Sequence, residues 1–323
     1  MKKAVWLALL ASSMFCCQNQ IAQHPQEDEK VKVKLELTSE TGHTDRDLTK
    51  AVANDITAIQ VQQRTNEAGS KYKSFCYGIF DNPSELTLEL NKGYLYKLEI
   101  TTVVDAKNRI ATTTDPSSGL MVIRQPFTLT GSGADNRVQN KFIYTSSNYL
   151  NYISQGYTAL PNASGSTYSL YNRPTTDRYY GVAEDFLADG AVGVKVETKR
   201  VVFGLKYEIS GFNEGVIIVK LASAPAVEIT PQSAATQQNL FTFNGSVYAV
   251  GEWVSDFYSE QIAYTVTWRK TDGTEVEVAA RQGEFMRKKL YNLVIDLSRT
   301  SGSSSVEISK ENGKLEGAGD IIL

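Results

Sequence analysis

The sequence predicts an all-β protein with two β-sandwich domains, and three observations support that fold class. Short segments in which apolar and polar residues alternate recur along most of the 323-residue chain. Turn-forming residues separate these segments, and helical periodicity is almost absent. A long polar stretch, 144–181, divides the series of strands near its middle. We therefore expect one sandwich over residues 31–180 and a second over 181–323.

The chain begins with the pattern of a signal peptide. Lys2 and Lys3 form a positively charged start, and an apolar run of 12 residues follows at Ala4 to Phe15. This run is too short to span a bilayer, and polar sequence comes directly after it. Residues 1–17 are therefore assigned to a signal peptide and not to a membrane helix.

Two adjacent cysteines close this segment, and they resemble the lipobox of bacterial lipoproteins, in which a cysteine sulfur is acylated. Cys17 is the preferred lipidation site, because the residue before it, Cys16, is small, whereas Cys16 follows the bulky Phe15. Cys16 is the alternative lipidation site, and a plain secreted protein cut at the small residues 11–13 is the alternative to a lipoprotein. The polar residues 18–30 are then a tether that holds the folded part off the membrane.

The first predicted strand follows the tether. In the segment VKVKLEL, apolar side chains on one face alternate with lysine and glutamate on the other, which indicates a half-buried strand. The four apolar side chains are Val31, Val33, Leu35 and Leu37.

Later segments repeat this alternation in order along the chain. Strands are predicted at 86–90 and 94–104, with a hairpin turn between them at 91–93, and Pro126 indicates an edge or a break between strands. In the second half, strands are predicted at 201–209 and 216–221 on either side of a Phe-Asn-Glu-Gly turn.

The strongest hairpin signal lies near the end of the chain. Asp272-Gly273 stands between two alternating segments, and such a pair favours a tight turn between antiparallel strands. The segment LYNLVIDL, 290–297, closes the series of predicted strands.

Composition argues against several classes of function. A net charge of −3 without a basic cluster makes nucleic acid an unexpected partner. The two histidines, His24 and His43, precede or flank the first strand, and no motif of a metalloenzyme or nucleophilic enzyme occurs. We therefore predict no enzyme, no cofactor and no metal site. Cys76, alone beyond the signal, is expected to be a buried apolar residue without a disulfide.

Acidic residues cluster in the segment DRYYGVAEDFLADG. They are Asp177, Glu184, Asp185 and Asp189. Their spacing lacks the alternate ligand positions of a calcium loop, so they are interpreted as solvated acids in turns.

Tyrosine is concentrated in the polar stretch 144–181, which holds 8 of the 17 tyrosines. An aromatic ring with a polar tip suits an adaptable contact surface for a protein or a glycan. The alternative is a loop that packs on a sandwich with its hydroxyls in water. The candidate contact residues are Tyr149, Tyr152, Tyr157, Tyr168 and Tyr171.

Three segments, together with the lipoprotein signal, resemble the fimbrillin-type pilus subunits and anchors of Bacteroidales. They are KRVVFGLKYEISGFNEGVIIVKL at 199–221, APAVEITP at 224–231 and FMRKKLYNLVIDL at 285–297. The resemblance implies two transthyretin-like β-sandwich domains and a structural role in surface fimbriae.

The resemblance also implies a mode of assembly. In polymerising members an arginine-specific protease cuts after the first strand, which leaves a hydrophobic groove for a strand from a neighbouring subunit. The resemblance thus assigns the plug to the strand at 31–37, the cleavage to Arg46 and the donor arm to 306–323, after a linker at 301–305. If neither end acts in polymerisation, the chain is an anchor or accessory subunit that keeps its lipid.

From these observations we predict a structural subunit of a bacterial fimbria, major or accessory, at the outer membrane and exposed on the cell surface. Its partners are other fimbrial subunits, the membrane through the lipid, and a host or bacterial surface receptor. The alternative is a surface lipoprotein that binds a glycan or a protein through the tyrosine-rich segment.

Overall fold

The protein, seen in a computed structural model, consists almost entirely of β-strands, and its described part contains no α-helix. The all-β prediction is therefore confirmed. The structure describes residues 29–39, 54–83, 86–109, 111–114, 121–125, 127–130, 137–151, 158–161, 168–190, 193–234, 236–243, 255, 257–298 and 305–314.

Fourteen of the described strands precede Val201. They are β1 (Lys30–Ser39), β2 (Ile56–Arg64), β3 (Lys73–Phe80), β4 (Leu86–Asn91), β5 (Leu95–Val103), β6 (Ala111–Thr114), β7 (Met121–Gln125), β8 (Thr128–Thr130), β9 (Ile143–Tyr144), β10 (Tyr149–Asn151), β11 (Thr158–Pro161), β12 (Tyr168–Tyr171), β13 (Arg178–Leu187) and β14 (Gly193–Arg200). A short 3₁₀ helix, Ala106–Arg109, follows β5.

Eight of these strands form the first sandwich, in the order β4-β1-β14-β13-β5-β2-β3-β9. Because β14 pairs with β1 along most of its length and with β13 only at Lys199 and Arg200, the sheet folds into two layers at β14. Apolar residues from β1, β4 and β14 pack in one buried cluster with residues from β2, β3 and β5. The short pairs β6-β7, β8-β10 and β11-β12 lie outside this sheet.

Eight further strands form the second sandwich. They are β15 (Val202–Ser210), β16 (Val216–Leu221), β17 (Val227–Ile229), β18 (Gln238–Thr242), β19 (Ser259–Arg269), β20 (Glu275–Met286), β21 (Lys289–Asp296) and β22 (Ser305–Lys314). They make two four-stranded sheets, β18-β15-β21-β22 and β17-β16-β19-β20. A core rich in aromatic rings lies between the sheets, with Phe203 stacked on Phe285 at 4.6 Å.

Both sandwiches share one plan. In each, the first strand runs parallel to a later strand of its own sheet, β1 beside β14 and β15 beside β21, while the described pairings of the opposite layer are antiparallel. This arrangement agrees with the two transthyretin-like sandwiches that the sequence resemblance implies.

One predicted hairpin is present, and two other predicted turns connect strands of different layers. β19 and β20 pair antiparallel around Asp272-Gly273, which confirms that prediction. The turn at 91–93 instead connects two layers, because β4 pairs with β1 whereas β5 pairs with β2 and β13. The turn after β15 likewise leads into the opposite sheet. Turn residues permit a chain reversal, but they do not specify the sheet in which the next strand pairs.

The change from one sandwich to the other occurs at Val201. Both β13 and β14 pair with strands of the first sandwich, so the boundary expected near residue 180 falls inside β13. The reason is that β13 and β14 follow the polar stretch in sequence but complete the first sandwich in space.

Buried charged side chains lie at this junction, one pair within the first sandwich and further contacts to the second. The Arg200 guanidinium donates to both carboxylate oxygens of Asp177, at 2.9 and 3.0 Å. Arg173, which precedes β13, donates to Glu260 of β19 at 2.6 Å, and Arg287 donates to the Arg200 carbonyl at 3.0 Å. No linker separates the sandwiches, since β15 begins two residues after β14 ends.

Candidate functional site

The first strand, β1, lies in the middle of a three-stranded layer between β4 and β14. It pairs antiparallel with β4 and parallel with β14. Alternation in the sequence gives β1 one apolar face, and Val33, Leu35 and Leu37 are only 0–4% exposed, while Val31 is half-buried. The apolar face of β1 therefore lies in the core of the first sandwich, and without β1 its place would be a long apolar groove.

The groove has an apolar floor and two apolar walls. Ile59 of β2 and Leu98 of β5, in the opposite layer, belong to the same buried cluster as the core residues of β1. On one wall Leu88 of β4 stands directly opposite Val33, and on the other Val196 of β14 stands opposite Leu37. Each of these contacts removes apolar surface from water, so a strand in this place stabilises the first sandwich.

The predicted donor arm begins as a resident strand of its own domain. β22 pairs antiparallel with β21, and Val306 is buried in the second core. Arg281 of β20 reaches across and donates to the Val306 carbonyl at 2.7 Å. Ile308 packs over Gly283, where an added Cβ would lie 3.1 Å from its terminal methyl group. Donation of this strand would therefore require it to leave β21, and the residues after Lys314 lie outside the described part.

A surface pocket of about 430 Å³, separate from the groove of β1, lies beside β22. It is lined mainly by polar side chains of β20, with Tyr264, Tyr291 and Ile308 at its margins. Burial raises the pKa of Tyr264 and of Tyr291, so both hydroxyls stay protonated at neutral pH.

The tyrosine-rich stretch does not form a single described surface. Tyr149 on β10 is 44% exposed, while Tyr171 at the end of β12 is half-buried. Tyr152 and Tyr157 lie outside the described residues, and Tyr168 is described only as part of the β12 backbone. The sequence does not distinguish exposed from structural tyrosines, because both occur in polar surroundings.

Two tyrosines of this stretch have structural contacts. Tyr180 is buried and donates to Glu99 at 2.8 Å. Tyr144, 44% exposed, accepts a hydrogen bond from the backbone amide of Glu89 at 2.8 Å. Partial burial raises the pKa of Tyr144 to about 12, so this hydroxyl is neutral under physiological conditions.

Of the acidic cluster only Asp177 is buried, which corrects its interpretation as a solvated acid, while Glu184, Asp185 and Asp189 are exposed as the sequence predicts. Asp177 is buried against Arg200, and Glu184 pairs with Lys97 at 2.7 Å. Asp185, at a β-bulge in β13, accepts hydrogen bonds from Tyr72 and Arg64, and these bonds lower the pKa of its carboxyl. The sequence missed these pairs because their basic partners are distant along the chain. Among the described residues, no three histidine, cysteine or acidic side chains form a group that could hold a metal ion.

Cys76 is a free cysteine, buried on β3 as the sequence predicts. Burial raises the pKa of its thiol far above the ordinary value, so it is not a reactive thiolate. Cys16, Cys17 and Arg46 lie outside the described residues, and both proposals about them stay predictions. The part of the chain that the structure describes has no helix long and apolar enough to cross a membrane.

Fold and groove together define a protein of two β-sandwich domains whose first strand is buried in the centre of its layer. No family model matches the chain, and no curated protein matches it. Among solved structures it is similar to the fimbrial anchor protein Mfa2 of Porphyromonas gingivalis, at 10% identity over 89% of this chain and 99% of that one, with a TM-score of 0.42.

Two further solved structures are similar at the same level. A protein of Bacteroides ovatus described as an adhesin is 13% identical over 90% of this chain and 98% of its own, with a TM-score of 0.41. One of Bacteroides thetaiotaomicron described as polysaccharide-binding is 8% identical over 87% and 98%, with a TM-score of 0.41. Proteins described as fimbrial, adhesive and polysaccharide-binding are thus among the solved structures to which this chain is similar.

Proposed function

We propose that this chain is a structural subunit, major or accessory, of a bacterial surface fimbria. It is exported as a lipoprotein through Cys17 and joins its neighbours by exchange of a strand. The observation that carries the proposal is the position of β1, the first described strand, buried between β4 and β14. A terminal strand in a central position is the one that can leave, and another strand can then take its place.

The path of the chain supports this proposal. Residues 40–55 separate β1 from β2 and include Arg46, so a cut there would separate β1 from the rest of the molecule. After such a cut, only backbone pairing and the apolar contacts of the groove would hold the strand. Its partners in this function are other fimbrial subunits and the outer membrane.

A comparison of β22, the start of the predicted donor arm, with β1, the strand it would replace in a neighbouring subunit, bears on which kind of subunit the chain is. β1 places three deeply buried side chains in the core, whereas in the sequence of β22 Val306 and Ile308 are followed two residues later by Lys310. Because a lysine in an apolar pocket is unfavourable, β22 of this chain is a weaker occupant than β1. This favours an anchor or accessory role over a repeated stalk subunit.

N-terminal sequencing of the protein taken from cell surfaces tests the proposal. A chain that starts at acylated Cys17 indicates an anchor or accessory subunit, and one that starts at Asp47 indicates a polymerising subunit. Treatment with an arginine-specific protease should then give ladders that survive mild detergent in the second case. A monomer without acylation and with Arg46 intact would overturn the proposal.

A glycan-binding surface lipoprotein is the second candidate, and the half-exposed ring of Tyr149 favours it. Aromatic faces supply contact area at low cost in conformational entropy. A glycan array with the wild-type chain and with Tyr149→Ala tests this function, and we expect a binding signal that the substitution reduces. Equal signals, or none, would remove this candidate.

A further inference from the structure

The free edge of β4 is closed by two tyrosine hydroxyls. β4 pairs with β1 on one side and with no described strand on the other. On that outer side the amide of Glu89 donates to the Tyr144 hydroxyl at 2.8 Å, and the amide of Asn91 donates to the Tyr96 hydroxyl at 2.7 Å. The amide of Lys92, the next residue along, points the other way and donates to the carbonyl of Glu29, which directly precedes β1. Alternate amides of β4 therefore face the tyrosines.

Both tyrosines belong to the layer opposite β4. Tyr96 lies on β5 and Tyr144 on β9. The ring of Phe75, on β3, packs edge-on against each of them, at 5.3 Å from Tyr96 and 5.6 Å from Tyr144. The Tyr96 hydroxyl also donates to the Asn91 carbonyl at 3.1 Å. Phe75, Tyr96 and Tyr144 thus cover one side of the sandwich. They connect β4 to β3, β5 and β9, none of which pairs with β1.

The opposite wall of the groove is also held independently of β1. β14 continues into a pairing with β13 at Lys199 and Arg200, and the buried Asp177 carboxylate holds the Arg200 side chain. The turn after β4 is fixed as well, because the Gly93 amide donates to the Ala188 carbonyl at 2.8 Å.

We propose that Tyr96 and Tyr144 are positioning residues that hold β4 in place when β1 is displaced, so that the groove stays open for a replacement strand. When β1 leaves, β4 loses the one strand with which it pairs among the described residues. The two tyrosine hydroxyls then remain as its hydrogen-bond partners in the opposite layer. The same bonds protect the edge of β4 against pairing with another chain. This inference rests on the proposed exchange of β1 and adds the residues that make the exchange reversible.

The first test reads the bonds themselves in the full chain. Hydrogen exchange at the amides of Glu89 and Asn91 is measured in wild type, Tyr144→Phe and Tyr96→Phe. Loss of one net hydrogen bond predicts exchange about five-fold faster at the corresponding amide. Tyr207→Phe is the matched control, because this buried hydroxyl has no hydrogen-bond partner among the described residues. Unchanged exchange at both amides would overturn the inference.

The second test reads the open groove. A site for a sequence-specific protease is placed at Arg46, the full chain is cut, and a labelled peptide of residues 29–39 competes with the cut strand. We expect wild type and Tyr207→Phe to capture the peptide, and Tyr144→Phe to capture it about five-fold less well because its wall is released. Equal capture by Tyr144→Phe overturns the positioning function and leaves strand exchange standing. Failure of the cut wild type to exchange its strand at all overturns strand exchange, and the inference with it.

Discussion

At the scale of single residues, the chain reverses direction at glycines that are not equivalent to one another. Gly215 and Gly273 both have a positive φ, 75° and 85°. An added Cβ at Gly215 would collide with the Arg269 carbonyl and approach the Trp268 indole nitrogen at 3.1 Å, whereas one at Gly273 would meet nothing within 4 Å. Trp268 approaches so closely because its indole donates to the Glu214 carbonyl.

We therefore predict different losses of stability for two otherwise similar substitutions. Gly273→Ala should lower the free energy of unfolding by about 1–2 kcal/mol, the strain of a left-handed backbone. Gly215→Ala should lower it by more, because the β16–β19 contact must open as well. Urea denaturation measures both values, and equal losses would show that close packing at Gly215 adds nothing.

Asp185 supplies a prediction of pH dependence. Hydrogen bonds from Tyr72 and then from Arg64 hold its folded-state pKa below the ordinary value. The stabilisation is therefore complete above the unfolded-state pKa of about 3.9 and is lost as the pH falls through the lower folded-state pKa. We expect Asp185→Asn to melt at a lower temperature than wild type at pH 7, with the difference shrinking below about pH 4.

Asparagine is a suitable replacement because it tolerates the positive φ of 56° at this bulge. Asp189→Asn, on the exposed turn after β13, is the control and should leave the melting temperature unchanged at every pH. A difference for Asp185→Asn that persists in acid would indicate that backbone strain, not charge, is responsible.

At the scale of elements, β1 and β22 are the first and last described strands, and they differ in how they are held. β1 pairs with β4 over Lys30–Leu35 and with β14 over Lys34–Ser39. Among the described strands β22 pairs only with β21, and the Arg281 side chain donates to its Val306 carbonyl. An edge strand with a single neighbour opens more readily than a central strand. In the free subunit we therefore expect β22 to exchange its amide protons faster than β1.

Substitutions on the two faces of β1 test its function as the core of the first sandwich. Leu35→Ala should lower the free energy of unfolding by about 2–5 kcal/mol, because it leaves a cavity in the groove. Lys34→Ala, on the exposed face, should change it by no more than about 0.5 kcal/mol. Guanidinium denaturation followed by circular dichroism gives both values. Similar effects of the two substitutions would show that β1 contributes little to the core.

At the scale of the whole molecule, the junction joins two cores into one structure. Tyr180, on β13 of the first sandwich, packs in the core of the second, and the Val201 amide donates to the Arg178 carbonyl at 2.9 Å. The two cores are therefore joined by direct contacts at this junction.

The buried pair at the junction gives the prediction at this scale. Asp177→Ala leaves the Arg200 charge buried without its carboxylate and should lower the free energy of unfolding by about 3–5 kcal/mol. Glu228→Ala is the matched control, since its pair with Arg269 is exposed and is worth at most about 1 kcal/mol.

Calorimetry of the two variants distinguishes a loss of coupling between the sandwiches from a loss of stability within one sandwich. We expect one unfolding transition for wild type and for Glu228→Ala. We expect two for Asp177→Ala, because Asp177 holds Arg200, whose carbonyl accepts a hydrogen bond from Arg287 of the second sandwich. A single transition in Asp177→Ala, at a reduced temperature, would mean that other contacts couple the sandwiches.

The sequence by itself determined the fold class and, for β1, the face of the strand that is buried. Alternation in VKVKLEL identified the buried side chains of β1, and Asp272-Gly273 identified the β19–β20 hairpin. These features are local, because side-chain direction follows from a period of two and a tight turn from two residues.

Only the tertiary structure decided which strands are neighbours. It placed β1 between β4 and β14, assigned β13 and β14 to the first sandwich, paired Asp177 with Arg200, and brought the Tyr144 hydroxyl to the amide of Glu89. These contacts join residues far apart in the chain, and alternating strands are compatible with many pairings. The packing of two cores selects among those pairings, and no local pattern records that choice.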